Sequence, residues 1–149
     1  MRVVAITGTR STGHRLSGDY NRLFSGYLAP FASDARFLVG GAVGIDTLAL
    51  EWLAGHTEAA LTVVTPGTVR QQPKRAHDAV KRLGERVELV ELGATELCTA
   101  TYHARNRYMV DRADMTIGFP SGEPDAASGT WYTLGYAARK GQPRLIVPV

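Results

Sequence analysis

One cysteine, Cys98, stands among 149 residues. A lone thiol excludes an intramolecular disulfide framework and argues against a cysteine-based zinc site, since structural sites usually need several thiolates. A reducing cytoplasm is the expected setting. Histidine is scarce too: His14, His56, His77 and His103 are scattered without metal-ligand spacing, and no metal or other cofactor is expected. No apolar run approaches the ~20 residues that span a bilayer. The opening Met1-Arg2-Val3-Val4-Ala5-Ile6 runs straight into a glycine turn, without the basic region, apolar stretch and cleavage site of a signal peptide. Secretion and membrane insertion are therefore disfavoured. Repeats, low-complexity tracts and linkers are also missing, because stretches such as Pro120 to Gly129 are only loop-sized.

Charge of one sign is in short supply as well. The formal net charge is +3, with 21% charged and 44% hydrophobic residues. This balance suits a compact globular protein and permits an anionic partner, but it is no nucleic-acid footprint unless the charge is clustered. The length fits a single domain over residues 1–149.

Short apolar runs rich in β-branched residues alternate with longer amphipathic stretches. The runs Arg2 to Thr7, Arg36 to Val39, Leu61 to Thr65, Val87 to Glu91, Met115 to Phe119 and Arg144 to Val147 are predicted strands. The stretches Ser17 to Leu28, Gly44 to Ala54, Pro73 to Leu83, Thr101 to Arg112 and Thr130 to Lys140 are predicted helices. The alternation predicts an α/β fold, a Rossmann-like three-layer sandwich with a mostly parallel sheet and helices on both faces. In such sheets ligands bind beyond the carboxyl ends of the strands, so the loops after each strand are the ones to examine.

The first strand ends in Thr7-Gly8-Thr9-Arg10-Ser11-Thr12-Gly13, whose small residues let amides approach an anion while Arg10 pairs with a phosphate. The Gly-Lys-Ser/Thr ending of a Walker loop is missing, and a plain strand-to-helix turn is the alternative. After the second strand comes Gly40-Gly41-Ala42-Val43-Gly44-Ile45-Asp46-Thr47, where a helix N-terminus can meet a ligand. Asp46 would either cap that helix or accept from a ligand hydroxyl. The fifth strand leads to Ser128-Gly129-Thr130 at another helix start. Arg105, Asn106 and Arg107 lie on a predicted helix, where Arg105 and Arg107 point about 200° apart. Arg105 and Asn106 are therefore expected to face the ligand and Arg107 to pair with Asp111. The basic run Pro73 to Arg86 reads as the exposed face of an amphipathic helix.

These motifs, in this order, resemble the SLOG superfamily of Rossmann-like proteins, most nearly its YspA-like and YpsA-like members and also its DprA and LOG branches. Thr7 to Arg10, Gly40 to Asp46, Arg105-Asn106-Arg107, Ala113 to Pro120 and Ser128-Gly129-Thr130 carry the likeness. It implies a nucleotide-type ligand at the glycine loops, and the family is usually oligomeric, so a homo-oligomer is expected. The leading expectation is binding or sensing of a nucleotide or nucleotide-derived phosphate, with ligand-facing residues Gly8, Thr9, Arg10, Gly40, Gly41, Gly44, Asp46, Arg105, Asn106, Ser128, Gly129 and Thr130. Trp131 or Tyr132 could stack on the base.

Two alternatives accompany it. DprA-like single-stranded DNA binding would need a basic groove longer than one phosphate site, with stacking surfaces for successive bases. LOG-like cleavage of a nucleoside monophosphate needs a carboxylate beside the sugar carbon. In LOG enzymes a glutamate follows the Gly-Thr turn, whereas here Trp131-Tyr132-Thr133 follows it. Only Asp46, Glu123 and Asp125 remain as suppliers of an acid, and no catalytic residue is assigned.

Overall fold

The computed structural model describes all residues from Met1 to Val149. Six strands alternate with five helices: β1 (Arg2–Gly8), α1 (Ser17–Tyr27), β2 (Ala35–Gly40), α2 (Ile45–His56), β3 (Ala60–Thr65), α3 (Lys74–Leu83), β4 (Val87–Glu91), α4 (Thr99–Asp111), β5 (Met115–Phe119), α5 (Gly129–Arg139) and β6 (Arg144–Ile146). Every pairing is parallel, in the order β4-β3-β2-β1-β5-β6. The sheet is thus parallel throughout rather than mostly so. None of the helices is long and apolar enough to cross a membrane.

The strand order fixes where the helices lie. From β1 to β4 the chain steps in one direction, and from β4 it returns to β5 on the other side of β1. Parallel crossovers are right-handed, so reversing the direction moves the connecting helix to the opposite face. Accordingly α1, α2 and α3 pack with Val4, Ile6, Phe37, Val39, Leu61 and Val63 in the main core, where Phe24, Phe37 and Phe119 are fully buried. Phe24 meets Phe119 edge-on with ring centroids 5.5 Å apart, a favoured aromatic geometry. On the other face Met109 of α4 packs with Ala5, Leu38 and Val64. There α5 lies close over β5 because Gly118 has no side chain: a Cβ would stand 2.6 Å from a methyl of Leu134.

The reversal leaves a crevice beyond the ends of β1 and β5. Two bonds hold the loop after β1 at its edge. The Thr9 amide donates to the Phe119 carbonyl, and the Ile45 amide donates to the Thr9 carbonyl, each at 3.0 Å. At Gly8 a Cβ would fall 2.3 Å from the Ile45 side chain, so the loop can lie against α2 only with glycine there.

Candidate phosphate-binding cleft

Between the ends of β1 and β5 opens a cleft of about 550 Å³, walled by the loop from Gly8 to Ser11, one face of α4 and the N-terminus of α5. Gly8, Thr9, Arg10, Asp46, Arg105, Asn106, Ser128, Gly129 and Thr130 line it. At α5, Ser128 is the N-cap and its hydroxyl accepts from the Trp131 amide at 3.3 Å. The first intrahelical bond there runs from the Tyr132 amide to the Ser128 carbonyl. The amides of Gly129 and Thr130 therefore have no acceptor in the protein and, with the positive end of the helix dipole, face the cleft.

Arg105 is 3% exposed and Asp46 6%. The guanidinium donates from Nε to Asn106 Oδ1 at 2.8 Å and from Nη1 to the Val64 carbonyl at 3.3 Å, which leaves Nη2 without a protein acceptor. Asp46 accepts from the Ala42 amide at 3.3 Å and so closes the loop that precedes its own helix. Burial pushes the Asp46 carboxyl above the ordinary aspartate range, against the pull of Arg105, the Ala42 amide and Arg10. Burial likewise draws the Arg105 guanidinium down, opposed by Asp46. On the open side the Arg10 guanidinium lies 4.8 Å from the centre of the Tyr102 ring, and that of Arg105 lies 5.7 Å from it. One aromatic ring thus orients both cleft cations.

The Asp46 geometry makes stability depend on pH. A folded chain that keeps a proton on Asp46 loses stability as the pH rises from about 4 through the raised pKa, and remains penalised above it. Asp78 and Asp111, held low chiefly by hydrogen bonds from Lys74 and Lys140, act in the opposite direction. Asp46→Asn separates the two: relative to the parent chain, the variant should gain stability in urea titrations as the pH rises. A pH-independent difference would remove Asp46 from this role.

Three glycines of the second loop are not on the cleft wall. The space of a Gly40 Cβ is filled by the Arg105 guanidinium at 2.4 Å and by Asp46 Oδ2 at 2.6 Å. Gly41 faces Gln72 and Thr65, and Gly44, at φ 80°, lies against the backbone of Thr9 and Arg10. Their absent side chains make room for protein groups, not for a ligand directly. Before and at the start of α2 the Ala42 and Ile45 amides are already engaged, by Asp46 and the Thr9 carbonyl, and only the Asp46 and Thr47 amides of its first turn stay open. The expected Arg107–Asp111 pair is also replaced: Arg107 donates to the Tyr132 hydroxyl at 2.7 Å, and Asp111 takes Lys140 and Tyr136. Tyr132 is stacked on His103, with ring centroids 3.6 Å apart, and Trp131 lines a separate hollow with Asp125. Neither is free to stack on a base from within the cleft. Glu123 and Asp125 lie off the lining, which leaves Asp46 as its only carboxylate.

Cys98, Tyr102 and Met109 also line the cleft, a placement not expected from the sequence. They were recoverable, since positions 98, 102, 105, 106 and 109 recur at helical spacing around Arg105.

The sequence profile of the DNA recombination-mediator protein A family matches residues 1–149. The chain belongs to this family. Among solved structures, DNA processing protein A from Helicobacter pylori, described for its single-stranded DNA binding mode, superposes with a TM-score of 0.72 at 22% identity. The match covers 99% of this chain and 66% of that one. DNA processing protein A (DprA) from Streptococcus pneumoniae gives 0.73 at 20% identity, over 99% of this chain and 50% of that one. The chain thus spans about half to two-thirds of the length of these family members. No curated protein sequence matches it.

Proposed function

We propose that the cleft binds a nucleotide or nucleotide-derived phosphate. The observation that carries this reading is the convergence of the buried Arg105 guanidinium, its Nη2 unused, with the open amides of Gly129 and Thr130. A phosphate seated there would take backbone donors from α5 and positive charge from Arg105 and Arg10. The cleft volume falls within the range of small-molecule sites, about 300 to 1,000 Å³. Family membership and the Helicobacter pylori protein favour a second reading, in which the nucleotide belongs to a single DNA strand. The basic residues of α3 do not lengthen the cleft in its support: none of them lines it, and Lys74, Arg75 and Arg82 pair with Asp78 and Glu51.

Calorimetry with a nucleoside, its monophosphate and a short single-stranded oligonucleotide tests both readings. The monophosphate should bind well above the nucleoside. Oligonucleotide binding that is tighter still, and falls steeply with salt, would assign the site to DNA. No preference for the phosphorylated compound would sink the proposal. Base release is expected to be negligible, because Asp46 is the sole carboxylate of the lining and its burial favours the protonated form. Sustained release in a chromatographic assay, abolished by Asp46→Asn, would instead make the site hydrolytic.

A further inference from the structure

Cys98 is exposed and stands at the N-cap of α4, where it lines the rim of the cleft. It occupies the outer end of the helix stripe whose inner end, Met109, is buried. Its sulfur accepts from the Thr101 amide, while its own amide donates to the Thr101 hydroxyl at 3.0 Å. The Thr101 amide, then the Thr101 hydroxyl, draw the thiol below its ordinary range, with a further contribution from the Ala100 amide.

A cysteine at a helix start would by itself be only a cap. Thr7 and Thr130 supply a separate observation: each is 6% exposed and lines the same cleft, yet neither hydroxyl has a partner in the protein. Neither oxygen is sealed from solvent, so a polar ligand seated in the cleft can bond to both hydroxyls in place of water. A group attached to Cys98 would project into that space, beside Arg10 and Arg105.

We infer that Cys98 is a thiol–disulfide exchange site at the mouth of the cleft, where a small anionic disulfide forms a mixed disulfide that excludes the nucleotide. The exclusion half rests on the nucleotide reading above; the reactivity half does not. In the exchange, Cys98 first gives its proton to solvent and the thiolate attacks one sulfur of the reagent. A bond forms between Cys98 Sγ and that sulfur as the reagent's own S–S bond breaks. The other half leaves as a thiolate with the bonding pair. Cys98 is oxidised to the disulfide level, one half of the reagent is reduced, and excess dithiol reverses the step.

The test compares anionic dithiobis-nitrobenzoate with cationic cystamine, taking free cysteine as the standard. Cys98 should favour the anionic reagent roughly fivefold more than free cysteine does, and the preference should shrink with added salt as the two arginines are screened. After complete labelling, confirmed by mass spectrometry, affinity for a nucleoside monophosphate should fall roughly tenfold or more and return on adding dithiothreitol. Cys98→Ser should show no response to either reagent. A fully labelled protein whose affinity is unchanged overturns the inference, as does a Cys98 with no preference for the anionic reagent. If the unlabelled protein binds no nucleotide, the proposed function and the exclusion half fall together, whereas the reagent preference still decides whether Cys98 is a reactive thiol in a cationic cleft.

Discussion

Arg105→Ala should weaken binding of a nucleoside monophosphate by about 1.5 to 3 kcal/mol and leave binding of the matching nucleoside nearly unchanged. The guanidinium is already desolvated and held by Asn106 and the Val64 carbonyl, so little ordering remains to oppose its contact with a phosphate. Truncation also strips Asp46 of the strongest charge that opposes its desolvation, and its pKa should climb further. Arg105→Lys keeps the charge but loses the planar fork that reaches Asn106 and the cleft together, so it should fall between the two. Calorimetry decides the matter, and equal losses for nucleoside and nucleotide would place Arg105 in a purely structural role.

Gly44→Ala should destabilise the fold by roughly 3 to 5 kcal/mol, combining backbone strain with overlap against main-chain atoms. At φ 80° and ψ −132° the residue occupies a region closed to side-chain-bearing residues. Its Cβ would also lie 2.4 Å from the Thr9 carbonyl and 2.7 Å from Arg10 Cα, neither of which can rotate aside. The loop displaced is the one that carries Arg10, so ligand affinity should drop alongside stability. Gly55→Ala is the contrast: it lies within α2 with open space around it and gains helix propensity, so about 0.5 to 1 kcal/mol of stabilisation is expected. Denaturant titration of both variants checks the pair, and similar losses in the two would refute the steric account.

Helices and strands were readable in the sequence because the physics that makes them is local. Runs such as Val3-Val4-Ala5-Ile6 bury both faces, and each predicted element lies within about two residues of its observed position. The start of α4 moved from Thr101 to Thr99 because Cys98 and Thr101 form a capping box, a pattern associated with serine or threonine at the cap. The glycines show where local reading stops. A sequence reveals that Gly40 has no side chain, but not that a guanidinium from α4 fills the vacancy. Arg107 was likewise assigned to Asp111 on helical spacing, whereas its partner Tyr132 comes from α5, next to α4 across the same face. Spacing within one helix cannot rank a neighbour that the fold brings in later.

The pairing of β1 also bears on synthesis. Its first neighbour, β2, follows one helix later, but its second, β5, emerges only after β3 and β4, with Val4 aligned to Met115 and Gly8 to Phe119. Until then the Thr9 amide has no Phe119 carbonyl to meet, and neither α4 nor α5 is in place over that side of the sheet. A nascent chain emerging from the ribosome can thus gather the part of the main core around α1 and α2, still without Ile117 and Phe119, while the cleft does not yet exist. On the function proposed above, a nucleotide would be unable to template the early collapse and would add stability only once α5 has emerged.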